Sequence, residues 1–424
     1  VTSVVESVLR KPDADESAAL ARTHFERRDG TELWGRALHV WREEMRAALG
    51  LPTTKPVVMT GHQAGIWHAG IAEKFVLGEA VARAIDGVLV HVVVDHDAND
   101  ASLIAFPALV EDAHGVRRLE RLFLERSPRS TSINALRKPV RTMRPERHCE
   151  VPPAIEPAIA AIESAIANEY RRENLAMQMA HAANRLLAPR ARVEHTIAAS
   201  TLGSLPLAEC MRANFASMRD AYNASVASER IAPLATHELP FWKLDSASGT
   251  RIPLSEYSPS GQLAPRALTL TAIARLVLCD LFIHGTGGGH YDLAMERWIG
   301  AACGDKVREA LAPMSVATAT KFAPIAAFVP PFDAHATPAA LRALEQDPFG
   351  DSCATKNALR ARIVGSKSER RAAYVAMRRA IMDARTEHAA SLQLLRARID
   401  ANRDAVRQHE LAIDRTWPFP FVQL

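Results

Sequence analysis

The residues best suited to chemistry lie in two short segments. The first is Val92-Val93-Val94-Asp95-His96-Asp97-Ala98-Asn99-Asp100. Two carboxylates and an imidazole placed just after a buried apolar run are costly unless they are paired, hydrated or liganded. If the strand continues, alternation puts Asp95 and Asp97 on one face and His96 on the other. Closely spaced carboxylates raise one another's pKa and so supply a general base at neutral pH. The same groups with His62 could also ligate a divalent metal. No H-E-x-x-H spacing supports zinc, and no metal is expected. The alternative use is an aspartate cap on the next helix with a structural His96. The second segment is Thr60-Gly61-His62-Gln63-Ala64-Gly65-Ile66-Trp67-His68-Ala69-Gly70. Its glycines let the backbone approach a ligand and expose N–H groups, and a helix starting there adds positive potential for a phosphate or carboxylate. The alternative is a tight turn with satisfied histidines.

The elements around these segments explain why they meet a ligand. Pro56-Val57-Val58-Met59 and Val88-Leu89-Val90-His91-Val92-Val93-Val94 read as buried strands. Between them Ile71, Phe75, Val76, Ala80, Val81 and Ile85 follow helical spacing. This is one βαβ unit, and both polar segments follow the carboxyl ends of its strands, where open parallel sheets bind ligands. A second strand-loop-helix unit runs through Asp280-Leu281-Phe282-Ile283-His284, then Gly285-Thr286-Gly287-Gly288-Gly289-His290-Tyr291-Asp292, then a helix through Trp298. No Lys-Ser/Thr follows, so this loop is no Walker sequence, and His290 replaces the last glycine of G-x-G-x-x-G. Arg266 with Arg275 and Asp280 could clamp an anion or pair with one another. No G-x-S-x-G elbow appears.

The chain has 424 residues, 48% hydrophobic and 24% charged, enough for several domains and a large core. A net charge of +4 gives no nucleic-acid groove, and the excess sits in residues 365–416. No apolar stretch is long enough for a membrane span; the nearest, residues 267–283, is broken by Arg275 and Asp280. Cys149, Cys210, Cys279, Cys303 and Cys353 are scattered and odd in number, and the first residues form no signal peptide, so a cytoplasmic protein is expected.

The pattern divides the chain into residues 1–150, N-terminal polar helices and the first half of a core; 151–237, a helical insertion; 238–364, the second half of the core; and 365–424. Residues 238–254 read as a hairpin, 268–278 as helix or strand, and 324–331 as a final strand. Residues 368–416 read as one long helix with a coiled-coil seam, a stutter near His388 and polar seam positions His388, Asn402 and His409. Packing of this helix on its own chain remains open beside an intermolecular coil.

Four resemblances, to two families, attach to these motifs. His68-Ala69-Gly70 resembles the start of the H-x-G-H signature of nucleotidyl- and adenylyltransferases, with Ile71 at the second histidine. Thr60-Gly61-His62-Gln63-Ala64-Gly65 resembles the T-G-Q-Q-A-G loop of the bacillithiol synthases, the cysteine-adding enzymes. Asp95-His96-Asp97 resembles that family's E-D-H-D segment, and Gly287-Gly288 its later G-G-P-x-E region. His62 replaces a glutamine, Val94 a glutamate, and the later proline and glutamate are missing, as in a divergent member.

The bacillithiol synthase resemblance implies an α/β fold: a Rossmann-like parallel-sheet core with helical insertions and a long C-terminal coiled-coil helix that makes a homodimer. It implies condensation of cysteine with the amine of a glucosaminyl malate, with ATP or ADP and magnesium as possible associates. Under this reading Asp95, His96, Asp97, His62 and His68 are catalytic. Thr60, Gly61, Gln63, Gly65, Arg266, His284, Gly285, Gly287, Gly288, Tyr291 and Asp292 bind substrate or phosphate. Nucleotidyl transfer at His68, or a non-catalytic coiled-coil protein that binds a small ligand, are the other readings.

Overall fold

The computed structural model describes the chain except residues 1–4, 28, 29, 112, 114, 116, 125–131, 142–148, 230, 259, 260, 332, 349–353, 423 and 424. Cys353 therefore lies outside the described residues, and Cys149, Cys210, Cys279 and Cys303 are free thiols. Among the described residues no helix is long and apolar enough to cross a membrane.

The chain opens with β1 (Ser7–Lys11), α1 (Ala14–Glu26), a minimal hairpin of β2 (Glu32–Leu33) and β3 (Arg36–Ala37), and α2 (Leu38–Ala48). The βαβ unit follows as β4 (Val57–Gln63), α3 (Ala69–Ala84) and β5 (Val88–Val94). Then come the hairpin β6 (Ile104–Glu111) and β7 (Arg117–Leu124), α4 (Glu156–Asn168), α5 (Leu175–Leu187), β8 (His195–Ala198) and α6 (Pro206–Val226). A small antiparallel sheet is built from β9 (Glu238–Asp245), β10 (Thr250–Ser255) and β11 (Leu263–Pro265). After it run α7 (Ala267–Ile273), β12 (Leu281–His284), α8 (Thr286–Cys303), α9 (Asp305–Glu309) and β13 (Met314–Thr320). The end of the chain is helical: α10 (Pro338–Gln346), α11 (Ala354–Ala361), α12 (Lys367–Glu387) and α13 (Ala389–Ala412).

The architecture is mixed α/β around a six-stranded sheet in the order β1-β13-β12-β4-β5-β8, parallel except for the edge strand β1. Among the parallel strands the chain starts in the middle at β4, moves out through β5 to β8, then returns to the other side of β4 as β12 and β13. The winding direction changes between β4 and β12, and a crevice opens there at the carboxyl ends. Both faces are covered, as near-continuous apolar strands require. Val57 and Met59 pack with α2, α6 and α8, whereas Val58 packs on the opposite face with Phe75, Leu77 and Val81 of α3 and with α1.

Several expectations are corrected. The first fifty residues are not all helical: β1 closes the sheet edge. Strand β8 lies inside the stretch expected to be a helical insertion. Residues His195–Ala198 are too few, with Ile197 their one large apolar residue, to show a period. The last strand is Met314–Thr320 rather than residues 324–331, which hold a short 3-10 turn at Ala326–Phe328. The buried positions of β13 are Ser315, Ala317 and Ala319, small residues that carry little apolar signal. Residues 268–278 are helical, α7 running into a π turn at Ala274–Leu278.

The long C-terminal helix is two helices. It breaks at His388, where φ −92° and ψ 9° leave the helical region, at the stutter in the apolar spacing. Helix α13 packs on its own chain, against α10 and β7. Asn402, a seam position by sequence, is satisfied within the chain: its Nδ2 donates to the Asp333 carbonyl at 2.8 Å and its Oδ1 accepts from the Asp333 N–H at 2.8 Å.

Candidate functional site

A cavity of about 820 Å³ opens at the carboxyl ends of β4, β5 and β12, the point where the sheet winding reverses. From β4 and the loop after it come Gly61, His62, Gln63 and His68; from the end of β5, His96 and Asp97. Arg266 precedes α7, and His284, Gly285, Gly287, Gly288, Tyr291 and Asp292 come from β12 and the head of α8. Segments more than two hundred residues apart thus share one wall, at the size and position typical of small-molecule sites.

Local packing explains how β4 delivers its loop. An added Cβ at Gly61 would lie 2.7 Å from the Val92 carbonyl, so only glycine lets β4 end this close to β5. Thr60 is fully buried and its Oγ1 donates to the Ile283 carbonyl at 2.8 Å, tying β4 to β12. It therefore holds the sheet together instead of lining the cavity. Gly65 takes φ +151° in the loop and also lies outside the cavity wall. The Trp67 indole N–H closes the loop by donating to the Gln63 carbonyl at 2.7 Å. His68 caps α3, its Nδ1 accepting from the Gly70 N–H at 3.1 Å. Burial first, then Arg415 and Lys74, holds its pKa below the usual histidine value.

Asp95 is corrected. Strand β5 ends at Val94, so strand alternation does not extend through Asp95-His96-Asp97. Asp95 is 1% exposed and points away from the cavity, accepting from the Ser200 N–H at 2.9 Å and the Ser200 hydroxyl at 2.5 Å. Its Oδ1 lies 3.5 Å from His96 Nδ1, a nitrogen with no hydrogen-bond partner. His96 faces the cavity with Asp95 behind it, which leaves Nε2 as its cavity-side nitrogen.

The two carboxylates on the wall among the described residues are committed. Asp97 pairs with Arg251 of β10 and accepts from Gln63 Nε2 at 2.5 Å. Arg251 also donates to the His96 carbonyl at 3.2 Å. Arg251 and Arg266 stack against the Trp242 ring at 4.8 and 4.1 Å, and Arg266 pairs with Glu238, which fixes the small sheet beside the cavity. Asp292 pairs with buried Arg275, and His284 Nε2 lies 3.1 Å away. Burial alone would raise the Asp292 pKa; the His284 ring beside it and the Arg275 guanidinium outweigh that and hold the carboxyl below its usual range.

Two cavity residues escape the motifs. Lys74 of α3 is 3% exposed and its Nζ donates to the Gly61 carbonyl at 2.6 Å; burial pushes its pKa down to about 7. The available signal is its position with Ile71, Phe75 and Gly78 on one helix stripe, a charge inside an apolar row. Arg415 arrives from the far end of the chain because Pro418 bridges His68 and the Phe419 N–H donates to the Trp67 carbonyl at 2.6 Å. His62, also on the wall, is pushed down to about 3 by burial and by Lys74, so it meets a ligand as a neutral imidazole.

Compared with known proteins, the chain matches no family model and no curated protein.

Proposed function

We propose that this cavity is the active site of an enzyme that joins the carboxyl of an amino acid, cysteine by the bacillithiol synthase resemblance, to the amine of a small metabolite, on a Rossmann-like core. The observation that carries the reading is convergence. Thr60-Gly61-His62-Gln63-Ala64-Gly65, Asp95-His96-Asp97 and Gly287-Gly288, the segments that carry the resemblance, all reach the rim or wall of one crevice.

In such a reaction a C–N bond forms, the ammonium nucleophile loses its protons, and a carboxyl oxygen leaves. Asp97 is occupied by Arg251 and Gln63. The proton acceptor is His96, whose Nδ1 lies 3.5 Å from the Asp95 carboxylate that Ser200 anchors. His68 has the N–H to offer the developing oxyanion: its Nδ1 accepts from the Gly70 N–H, which leaves the ring proton on Nε2, whereas neutral His62 spends its one N–H on the Gln63 carbonyl at 3.3 Å. A nucleoside triphosphate would supply a better leaving group than hydroxide. The head of α8 fits its phosphates: a Cβ at Gly287 meets nothing within 4 Å, and Thr286, Gly287 and Gly288, first residues of a helix and so without intrahelical partners for their N–H groups, line the cavity. Lys74 and these N–H groups are the residues placed to hold it.

His96→Asn should lower kcat by about 10²–10⁴-fold while the melting temperature stays close to that of the parent chain. Turnover within a few-fold of the parent would reject His96 as the base. For the reaction itself, the purified protein is incubated with isotope-labelled cysteine and glucosaminyl malate, with and without Mg-ATP, and searched by mass spectrometry for an adduct less one water. Product in both conditions means condensation without a nucleotide, and product only with ATP means a nucleotide-driven ligase. No product from folded protein rejects this substrate pair.

The homodimer is carried as part of the same reading, through α12, where Tyr374, Val375 and Met382 stay exposed. Sedimentation equilibrium should show a dimer that Tyr374→Glu with Val375→Lys dissociates; a monomer at tens of micromolar would exclude it. A cytoplasmic setting for the enzyme follows from the same resemblance and from the scattered cysteines.

A further inference from the structure

We propose that the inner wall of the cavity is an anion subsite anchored by Lys74, which takes a phosphate or carboxylate of the substrate between its ammonium and the glycine-opened head of α8. The proposal rests on the reading of this cavity as the functional site, and it holds whichever bond is made there. Lys74 uses one N–H on the Gly61 carbonyl at 2.6 Å, and an ammonium has three. Among the described residues it has no carboxylate partner. The neighbouring acids are taken: Glu73 by Arg10, Asp97 by Arg251, Asp292 by Arg275 and Asp414 by Arg121.

The remaining titratable and charged groups around Lys74 are His62 on β4, His91 on β5, His68 at the head of its own helix, Arg415 from the C-terminal segment, and His284 on β12. None is an anion. Across from Lys74, the Cβ direction of Gly285 comes within 4.0 Å of the lysine Cδ, so the side chain runs past the start of α8. A buried ammonium, a guanidinium unpaired among the described residues and the N-terminus of an eighteen-residue helix line one space. Its complement is a negative group.

Burial also links binding to a proton. With its pKa at about 7 in the empty cavity, Lys74 sheds its proton just above neutrality, and an anion beside the amine draws it back. His62 and His91, both at about 3, stay neutral throughout this range. Affinity for an anion that does not itself titrate should therefore fall by about tenfold per pH unit above 7.

The test is calorimetric titration of the whole chain with sulfate, a tetrahedral oxyanion, and separately with malate, at pH 6.5 and 8.5 in two buffers of different ionisation heat. No cysteine or amine is present, so failure to make amide does not affect it. Binding of either probe, weakened about 20-fold at the higher pH with proton uptake, supports the subsite. Sulfate alone points to a phosphoryl group, and malate alone to a carboxylate. Lys74→Met should remove both the binding and the proton uptake. Gly287→Asp, where the added side chain has open space, should block binding by placing a carboxylate in the site. No binding by the parent chain, unchanged binding in both variants, or binding independent of pH would overturn the proposal.

Discussion

Lys74→Met is expected to make the unliganded protein more stable at pH 6 by about 3 kcal/mol. Burial lowers the lysine pKa from 10.5 to about 7. The charged form is therefore penalised in the folded state by roughly 4–5 kcal/mol, at about 1.4 kcal/mol per pKa unit. Loss of the hydrogen bond to the buried Gly61 carbonyl returns about 1–2 kcal/mol of that gain. The sign follows from which state binds the proton. Between the folded value near 7 and the unfolded value of 10.5, the unfolded chain holds a proton that the folded chain has released, so the parent protein gains stability as pH rises through that window. The advantage of the variant should be full below pH 7, shrink above it, and turn into a small deficit near pH 10.5. Urea unfolding midpoints measured from pH 6 to 10 check this. A variant less stable than its parent at pH 6 would show that Lys74 is stabilised by its surroundings, contrary to its buried position without a carboxylate. A residue retained at a cost in folding is one that works in the bound state.

The second large effect is acid sensitivity at His91. The ring is fully buried in β5, its Nδ1 3.0 Å from Asn184 Oδ1, with its edge against Trp67 and Phe75 at 5.3 and 4.9 Å. Burial, the largest cause, brings its pKa down to about 3 even though the bond to Asn184 opposes the shift. The folded state holds a neutral ring, so its contribution is complete above the unfolded value of 6.5 and is lost as pH falls toward 3. The loss reaches roughly 4–5 kcal/mol across the window. His24 and His62, also lowered chiefly by burial, add in the same direction. His91→Gln keeps a hydrogen-bonding group for Asn184 without the titration. Its stability at pH 7 should be lower, by the usual cost of a core change, but its decline from pH 6.5 to 4 should be about 1 kcal/mol per pH unit shallower. Parallel declines in parent and variant would remove His91 as a source of the acid response.

The two predictions rest on residues that were unequally visible. His91 sits in an apolar run whose reading as a buried strand was correct, and a histidine in that setting is neutral for a reason that burial alone supplies. Lys74 was hidden because a charged residue in a helical stretch ordinarily marks a solvated face. Only packing of α3 against β13 and β4 of the sheet turned that face inward. Asp95 failed in the opposite way. Its type and spacing marked it for catalysis, but the strand ended at Val94, before the segment that alternation assumed, and Ser200, more than a hundred residues away, took its carboxylate.

What the sequence by itself determined was local: the βαβ unit, the glycine that lets β4 approach β5, the second strand-loop-helix turn, and the placing of both polar segments at strand ends. These follow from apolar period and turn chemistry within one or two elements. Tertiary structure alone decided the strand order that brings residues 61–68, 95–97 and 284–292 to one crevice. It also decided which carboxylates meet an arginine, the arrival of Arg415, and the division of the C-terminal helix between a chain-packed α13 and an exposed α12. The physical reason is that ion pairs and sheet neighbours form between segments far apart in the chain, and no periodicity within either segment records its partner.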